Sequence, residues 1–175
     1  MDTPKRYHPF LVILHWTIAI LIVAMLVIGY TQLGNTPNDA AKVRVLSLHM
    51  PIGITILALT VIRLLVRIFS KKPAPATAGN PLLDKIGVAT HYLLYILALG
   101  MGISGIGISS QAGLPGIVFE GVGNLPADFS AFPPALGHSL FATLLSGLVI
   151  LHIGAAIYHQ FIRKDNLLAR MWFGK

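Results

Sequence analysis

The stretch that decides the fold is LGHSLFATLLSGLVILHIGAAIYHQ, which runs from Leu136 to Gln160. It is apolar almost throughout and exceeds the ~20 residues that an α-helix needs to cross a bilayer. It also contains three histidines, His138, His152 and His159. A polar ring in hydrocarbon costs free energy unless it has a partner, so this pattern indicates a membrane helix that carries a function.

Three further segments have the same length and apolar character. Together they predict four membrane helices at about residues 10–30, 46–69, 85–109 and 135–162. The first segment lacks a small-residue cleavage site, so we interpret it as a retained helix and not as a signal peptide. Because lipid offers the backbone no hydrogen-bond partners, we predict an all-α membrane protein, a four-helix bundle in one domain covering residues 1–175.

Composition and charge predict the orientation. The chain is 55% hydrophobic and only 11% charged, against about 25% charged residues in an average soluble domain. Two of its 13 basic residues, Lys42 and Arg44, fall at one predicted end of the bundle. The other eleven fall at the opposite end, and these are Lys5, Arg6, Arg63, Arg67, Lys71, Lys72, Lys85, Arg163, Lys164, Arg170 and Lys175.

The positive-inside rule then predicts that both termini face the cytoplasm, with the protein in a bacterial cytoplasmic (inner) membrane as a multi-pass protein. The net charge of +7 reflects this orientation and contact with membrane lipid, and it does not indicate nucleic-acid binding. The final segment, KDNLLARMWFGK over residues 164–175, combines apolar and basic residues. This combination predicts a short interfacial helix at the C-terminal end.

The histidines of the last helix share one face. His138 and His152 are 14 residues apart, which is about 40° short of four turns and about 21 Å along the axis. His159 continues the same face seven residues later. By depth, His15 in the first helix is level with His152, and His49 in the second is level with His138. Each pair would hold one flat group between two helices.

Haem iron takes two imidazoles on opposite faces, and helix bundles house such cofactors in their cores. The alternative is a histidine-lined path for protons or divalent metal, as in a metal transporter. All six acidic residues fall in predicted loops or helix ends, which disfavours that alternative. The chain has no cysteine, which excludes thiolate ligation and covalent haem attachment. Glycines in the third and fourth helices fit either a macrocycle or close helix packing.

Four motifs over about residues 7–171 resemble the prokaryotic cytochrome b561 family. These are LVILHW with His15, LSLHMPIG with His49, VIRLLVRI with Arg63 and Arg67, and GHSL…LHIGAAIYHQFIRKDNLLARM with His138 and His152. The resemblance implies a four-helix membrane cytochrome with two non-covalent b haems. It implies His15 and His152 as ligands of the inner haem iron, and His49 and His138 as ligands of the outer one.

The resemblance also implies a function, which is electron transfer between an outer-side donor and membrane quinone. The donor is either superoxide or a periplasmic redox protein. With superoxide as the donor, the protein would be an oxidoreductase that reduces ubiquinone. The cytochrome b subunits of hydrogenases and formate dehydrogenases share this layout. They imply an alternative function, the membrane anchor and electron-transfer subunit of a larger dehydrogenase or reductase. A homodimer or a complex with a partner subunit is compatible with either function. Lys42 and Arg44 would steer an anionic substrate, although Asp39, Glu120 and Asp128 oppose their field.

Three further residues are candidates for binding. His159, beyond His152 near the cytoplasmic headgroups, is placed to hydrogen-bond a quinone and deliver a proton. Arg63 either extends to the headgroups or pairs with a haem propionate. His91 in the third helix has several open roles, as a rival ligand of the inner haem, a propionate or quinone partner, or a packing residue.

Overall fold

The computed structural model describes residues 6–74, 77 and 79–173, so Lys5 and Lys175 of the predicted basic end lie outside the described residues. Within them, every regular element is helical, which confirms the predicted fold class. The four long helices are α1 (Pro9–Ile28), α2 (Ala40–Phe69), α3 (Pro81–Gln111) and α4 (Pro133–Ile157). Each is long and apolar enough to cross a membrane.

Two of these helices continue as π-helical turns. α1 extends through Gly29–Leu33 and α4 through Tyr158–Arg163. Such turns are rare and often lie at functional sites. The second of them contains His159, so the last of the three histidines lies on π-helical backbone where the regular α-helix has already ended.

Side-chain caps make α2 and α3 begin several residues earlier than predicted. The Asp39 carboxylate accepts a hydrogen bond from the backbone N–H of Ala41 at 2.8 Å. The Asn80 side chain does the same for Leu82, also at 2.8 Å. Both caps satisfy first-turn donors that have no partner within the helix. The connections before α2 and α3 are therefore shorter than the composition indicated.

The predicted C-terminal helix is a short 3₁₀ helix, Leu167–Met171, which packs against the start of α1. The Trp16 indole donates to the Met171 carbonyl at 2.8 Å, and the Tyr7 amide donates to the Arg170 carbonyl at 3.1 Å. Both ends of the described chain thus lie at one end of the bundle, which we call the terminal end. The opposite end, with the α1–α2 and α3–α4 connections, is the loop end.

Glycines set how closely the helices approach. Close backbone packing joins α1 to α2, α2 to α3 and α3 to α4, whereas α4 does not pack as closely on α1 or α2. A Cβ on Gly102 would lie 2.8 Å from the Leu57 side chain, and one on Gly100 would lie 3.0 Å from Phe141. Gly147 on α4 has no atom within 4 Å of such a Cβ. Gly100 and Gly102 of α3 therefore serve helix packing, while the backbone at Gly147 of α4 faces open space.

Substituting Gly102 by alanine should destabilise the bundle. The added methyl would force α2 and α3 apart, and overpacking of this kind costs about 1–3 kcal/mol. Gly87→Ala is the matched control, because a Cβ at that position of the same helix meets nothing within 4 Å. Thermal unfolding of the purified proteins in detergent should give a lower Tm for Gly102→Ala alone. Equal Tm values for the two variants would contradict the packing role.

Candidate functional site

Two histidine pairs lie at different depths of the bundle and share α4. At the terminal end, the rings of His15 on α1 and His152 on α4 have centroids 6.3 Å apart and planes at 76°. At the loop end, His49 on α2 and His138 on α4 are likewise 6.3 Å apart, with planes at 66°. The sequence-predicted pairing by depth is therefore the pairing that the structure brings together.

The spacing of both pairs fits one metal ion between two imidazoles. An imidazole nitrogen binds a transition metal at about 2.0 Å and lies ~1.1 Å from its own ring centre, so two rings on opposite sides of one ion are centred roughly 6.2 Å apart. The observed 6.3 Å agrees with this value at both sites. The residues present therefore fit a haem iron held from both faces.

Hydrogen bonds at the loop end fix which nitrogen of His138 is free. Its Nδ1 lies 3.2 Å from the Met101 carbonyl and 3.1 Å from the Ser104 hydroxyl, which itself donates to the Gly100 carbonyl. Both neighbours can accept a hydrogen bond from Nδ1, so Nδ1 carries the hydrogen and Nε2 keeps its lone pair. Metal-binding histidines are commonly oriented through the second nitrogen in this way.

His49 has an incomplete set of protein partners. Its Nδ1 is buried, and among the described residues no group hydrogen-bonds to it. Buried polar atoms in native proteins nearly always have a partner. A histidine left unsatisfied beside a second histidine is thus consistent with a ligand that is not part of the chain.

His91 joins the terminal-end pair as a third imidazole. Its ring lies 5.4 Å from that of His152, closer than the separation expected for two ligands of one ion. Its Nδ1 lies 2.7 Å from the Gly87 carbonyl and donates to it. The geometry thus matches iron ligation for His15 with His152 better than for His91 with His152, and it makes His91 a packing neighbour of His152.

Arg63 points into the bundle and not toward the headgroups. Its Nη1 donates to the Tyr95 hydroxyl at 2.5 Å, and its Nη2 lies 3.4 Å from Nδ1 of His15. Its Nε is buried with no partner among the described residues. A partly satisfied guanidinium beside a histidine pair is the arrangement that a carboxylate of a bound cofactor would complete.

His159 is paired with Asp165. Nδ1 of His159 lies 2.6 Å from Oδ2 of Asp165, and Nε of Arg163 lies 3.5 Å from the same oxygen. Partial burial alone raises the pKa of the Asp165 carboxyl, but the hydrogen bond and charge of His159, with smaller contributions from Leu167 and Arg163, hold that pKa below its ordinary value. Asp165 therefore stays ionised at neutral pH and keeps the hydrogen of His159 on Nδ1.

A strained turn produces this pair. Lys164 and Asn166, on either side of Asp165, both have left-handed backbone conformations, with φ of 57° and 55°. This conformation is unfavourable for Lys164, whereas asparagine adopts it more readily, and backbone strain of this kind is often found at functional sites. The turn reverses the chain after the π-helical segment, and the Asp165 amide donates back to the His159 carbonyl at 3.3 Å.

The two basic residues at the loop end differ in their surroundings. Lys42 donates to the Asn38 side chain at 2.7 Å, and Asn38 in turn donates to the carbonyls of Pro126 and Ala127. Lys42 therefore helps to hold the long α3–α4 connection. Arg44 is exposed and, with His49, lines a cavity of about 430 Å³. Of the two predicted steering residues, only Arg44 borders this cavity beside a histidine pair.

Across residues 6–74, 77 and 79–173, no three histidine or acidic side chains converge into a metal-ion site. The histidine-lined transporter therefore gains no support from the described residues. Sequence reasoning did not identify Met101, Ser104 and Asp165, which orient histidines, or Tyr95, which binds Arg63. Depth could have matched Tyr95 to Arg63. Helical periodicity does not predict the contact of Asp165 with His159. Six residues of ideal helix turn the chain by about 600°, which would place Asp165 on a different face from His159.

Comparison with known proteins gives consistent matches over nearly the whole chain. The model of a family described as prokaryotic cytochrome b561 matches residues 6–174. Cytochrome b561 homolog 2 of Escherichia coli (strain K12) is 34% identical, over 97% of this chain and 93% of that protein. Cytochrome b562 of Cereibacter sphaeroides is 28% identical, over 98% of both chains. A probable superoxide oxidase of Yersinia pestis is 26% identical, over 95% of this chain and 96% of that protein.

Proposed function

The chain belongs to the prokaryotic cytochrome b561 family of multi-pass bacterial membrane proteins, and from this membership we propose its specific role. The family transfers electrons, and membership in it implies b-type haem. It carries electrons between a donor at the loop end and quinone at the terminal end, through two b haems. Residues 1–175 act as one integral domain in the inner membrane, with the terminal end in the cytoplasm.

The observation that carries this proposal is the equal 6.3 Å spacing of two histidine pairs at two depths. We assign His15 and His152 to the inner haem and His49 and His138 to the outer one. Bound haem iron supplies reversible one-electron chemistry. The Met101 carbonyl and the Ser104 hydroxyl orient His138, and Arg63, whose Nη2 lies beside His15, would offer its guanidinium to a propionate at the inner site.

His159 and Asp165 handle the proton that accompanies quinone chemistry. Reducing a quinone to a quinol takes two electrons and two protons, so a proton donor must stand near the quinone oxygen. Nδ1 of His159 donates its hydrogen bond to the Asp165 carboxylate, so Nε2 is the nitrogen that takes up a proton from water at the cytoplasmic surface and then passes it to the quinone oxygen. The left-handed residues on either side of Asp165 support this role, because they hold the carboxylate against the ring.

The donor site lies at the cavity beside His49. Arg44 places a positive charge there, while Lys42 is held by Asn38. Similarity to a probable superoxide oxidase favours superoxide, an anion that gives up one electron to become dioxygen. A reduced periplasmic protein with an acidic surface would be attracted by the same charge.

The haem assignment predicts that the ligands fail in pairs. His49→Ala and His138→Ala should each lose one haem b, and the double variant should lose no more than either single variant. His15→Ala and His152→Ala should lose the other haem, and His159→Ala should keep both. Haem per chain is measured by the pyridine haemochromogen assay on monodisperse protein. A double variant that binds less haem than both of its single variants would contradict a shared iron.

The quinone assignment predicts a kinetic defect without haem loss. His159→Ala should slow reoxidation of the reduced protein by added quinone about 100-fold, since positioned proton donors contribute at least that much. Asp165→Asn should slow it less, because the imidazole remains but its tautomer is no longer fixed. Stopped-flow absorbance follows the reaction, with exposed Lys71→Gln at the same end as control. Rates equal to wild type in both variants would exclude this site.

The donor site predicts that the two loop-end cations are not equivalent. Arg44→Gln should slow reduction by superoxide several-fold and weaken its salt dependence, because steering acts through unscreened charge. Lys42→Gln should have the smaller effect, since Lys42 is engaged by Asn38. Rapid mixing at low and high ionic strength tests this. A wild-type rate that does not change with salt would rule out steering by Arg44.

A further inference from the structure

A small cavity lies between α2 and α3 at the terminal end, and none of the proposed haem ligands lines it, nor does His159 or Asp165. It has a volume of about 60 Å³. Its lining combines basic, aromatic and aliphatic side chains, and consists of Leu64, Arg67, Ile68, Lys72, His91, Tyr92 and Tyr95. No lining residue is acidic.

Two cations, Arg67 and Lys72, line this cavity, and Arg63 lies beside Arg67 on α2. Arg63 and Arg67 are one turn apart on α2, and their guanidinium carbons lie 5.3 and 5.8 Å from the centre of the Tyr95 ring. Like charges at this spacing repel each other. Within the described residues, no carboxylate forms an ion pair with Arg67 or Lys72. An anion bound in the cavity would offset this repulsion.

The cavity opens where lipid headgroups are expected. Lys72 lies just beyond Phe69, the last residue of α2. Ile68 and Tyr92, which line the cavity, are 58% and 63% exposed on the outer surface of the bundle, where lipid surrounds a membrane protein. Basic pockets between membrane helices on the cytoplasmic side bind anionic lipid headgroups. An acyl chain would lie along this exposed apolar surface.

Size and charge together identify the ligand group. One water needs about 10–15 Å³ of cavity volume, so 60 Å³ accepts a group of several heavy atoms, such as a phosphate. A quinone is neutral and would leave the positive charges of Arg67 and Lys72 unbalanced. We propose that the cavity binds the phosphate of an anionic phospholipid, with Arg67 and Lys72 as its charged partners.

Native mass spectrometry of the haem-loaded protein tests this site. Mixed with phosphatidylglycerol, the wild type should retain one lipid, and Arg67→Gln/Lys72→Gln should weaken its binding at least tenfold. Lys71→Gln/Lys85→Gln removes the same charge from the same end and should bind like wild type. Equal lipid binding by the two double variants would overturn the proposal. If the first does not fold, Lys72→Gln alone carries the test, because Lys72 is exposed beyond α2.

Two further experiments distinguish the lipid from two other anionic groups that Arg67 and Lys72 could bind, namely free phosphate and the haem carboxylates. Inorganic phosphate at the lipid concentration should not displace phosphatidylglycerol, and displacement would make this a free-phosphate site, against the proposal. Arg67→Gln/Lys72→Gln should keep its full haem absorbance. Loss of a haem from that variant would assign these cations to haem carboxylates and overturn the lipid site. Haem content and lipid retention are separate readouts, so this site can fail while the electron-transfer proposal stands, and the reverse.

Discussion

The structure depends on one constraint, which is that an imidazole buried in hydrocarbon needs a partner. α4 carries two such rings, His138 and His152, spaced so that both face the bundle at different depths. α1 and α2 each supply one histidine at the matching depth, which gives two pairs with the same 6.3 Å separation. Under the proposed function, iron satisfies all four rings, and α4 is the helix common to both haem sites.

Packing follows from the same constraint. The glycines of α3 bring it against α2 and α4, with Gly102 against Leu57 and Gly100 against Phe141. α4 stays further from α1 and α2, which are the helices that supply the opposite histidines. Three helix pairs thus provide the dispersion contacts that membrane bundles rely on. Among the long helices, α4 is joined most closely to α3.

The sequence was sufficient for the helices, the family and the depth pairing of the histidines, because apolar length and helical periodicity are local properties. It was insufficient wherever backbone departs from ideal helix. Asp165 contacts His159 because the residues on either side of it have left-handed backbone conformations. An ideal helix, with about 100° per residue, would place the Asp165 side chain on a different face. The roles of Lys42 and Arg44 also diverge, because the first is tied to a loop whose path composition does not predict. For the glycines, only the observed contacts distinguish packing from open space.

The central claim, two haem irons each held by one histidine pair, is tested most directly by counting haem b in the purified wild-type protein. The pyridine haemochromogen assay, referred to protein measured by amino-acid analysis, gives haem per chain. We expect two haems per chain, with two midpoint potentials in a redox titration because the two sites have different neighbours. One haem per chain in homogeneous, fully loaded protein would contradict it, since one of the two 6.3 Å pairs would then hold no iron.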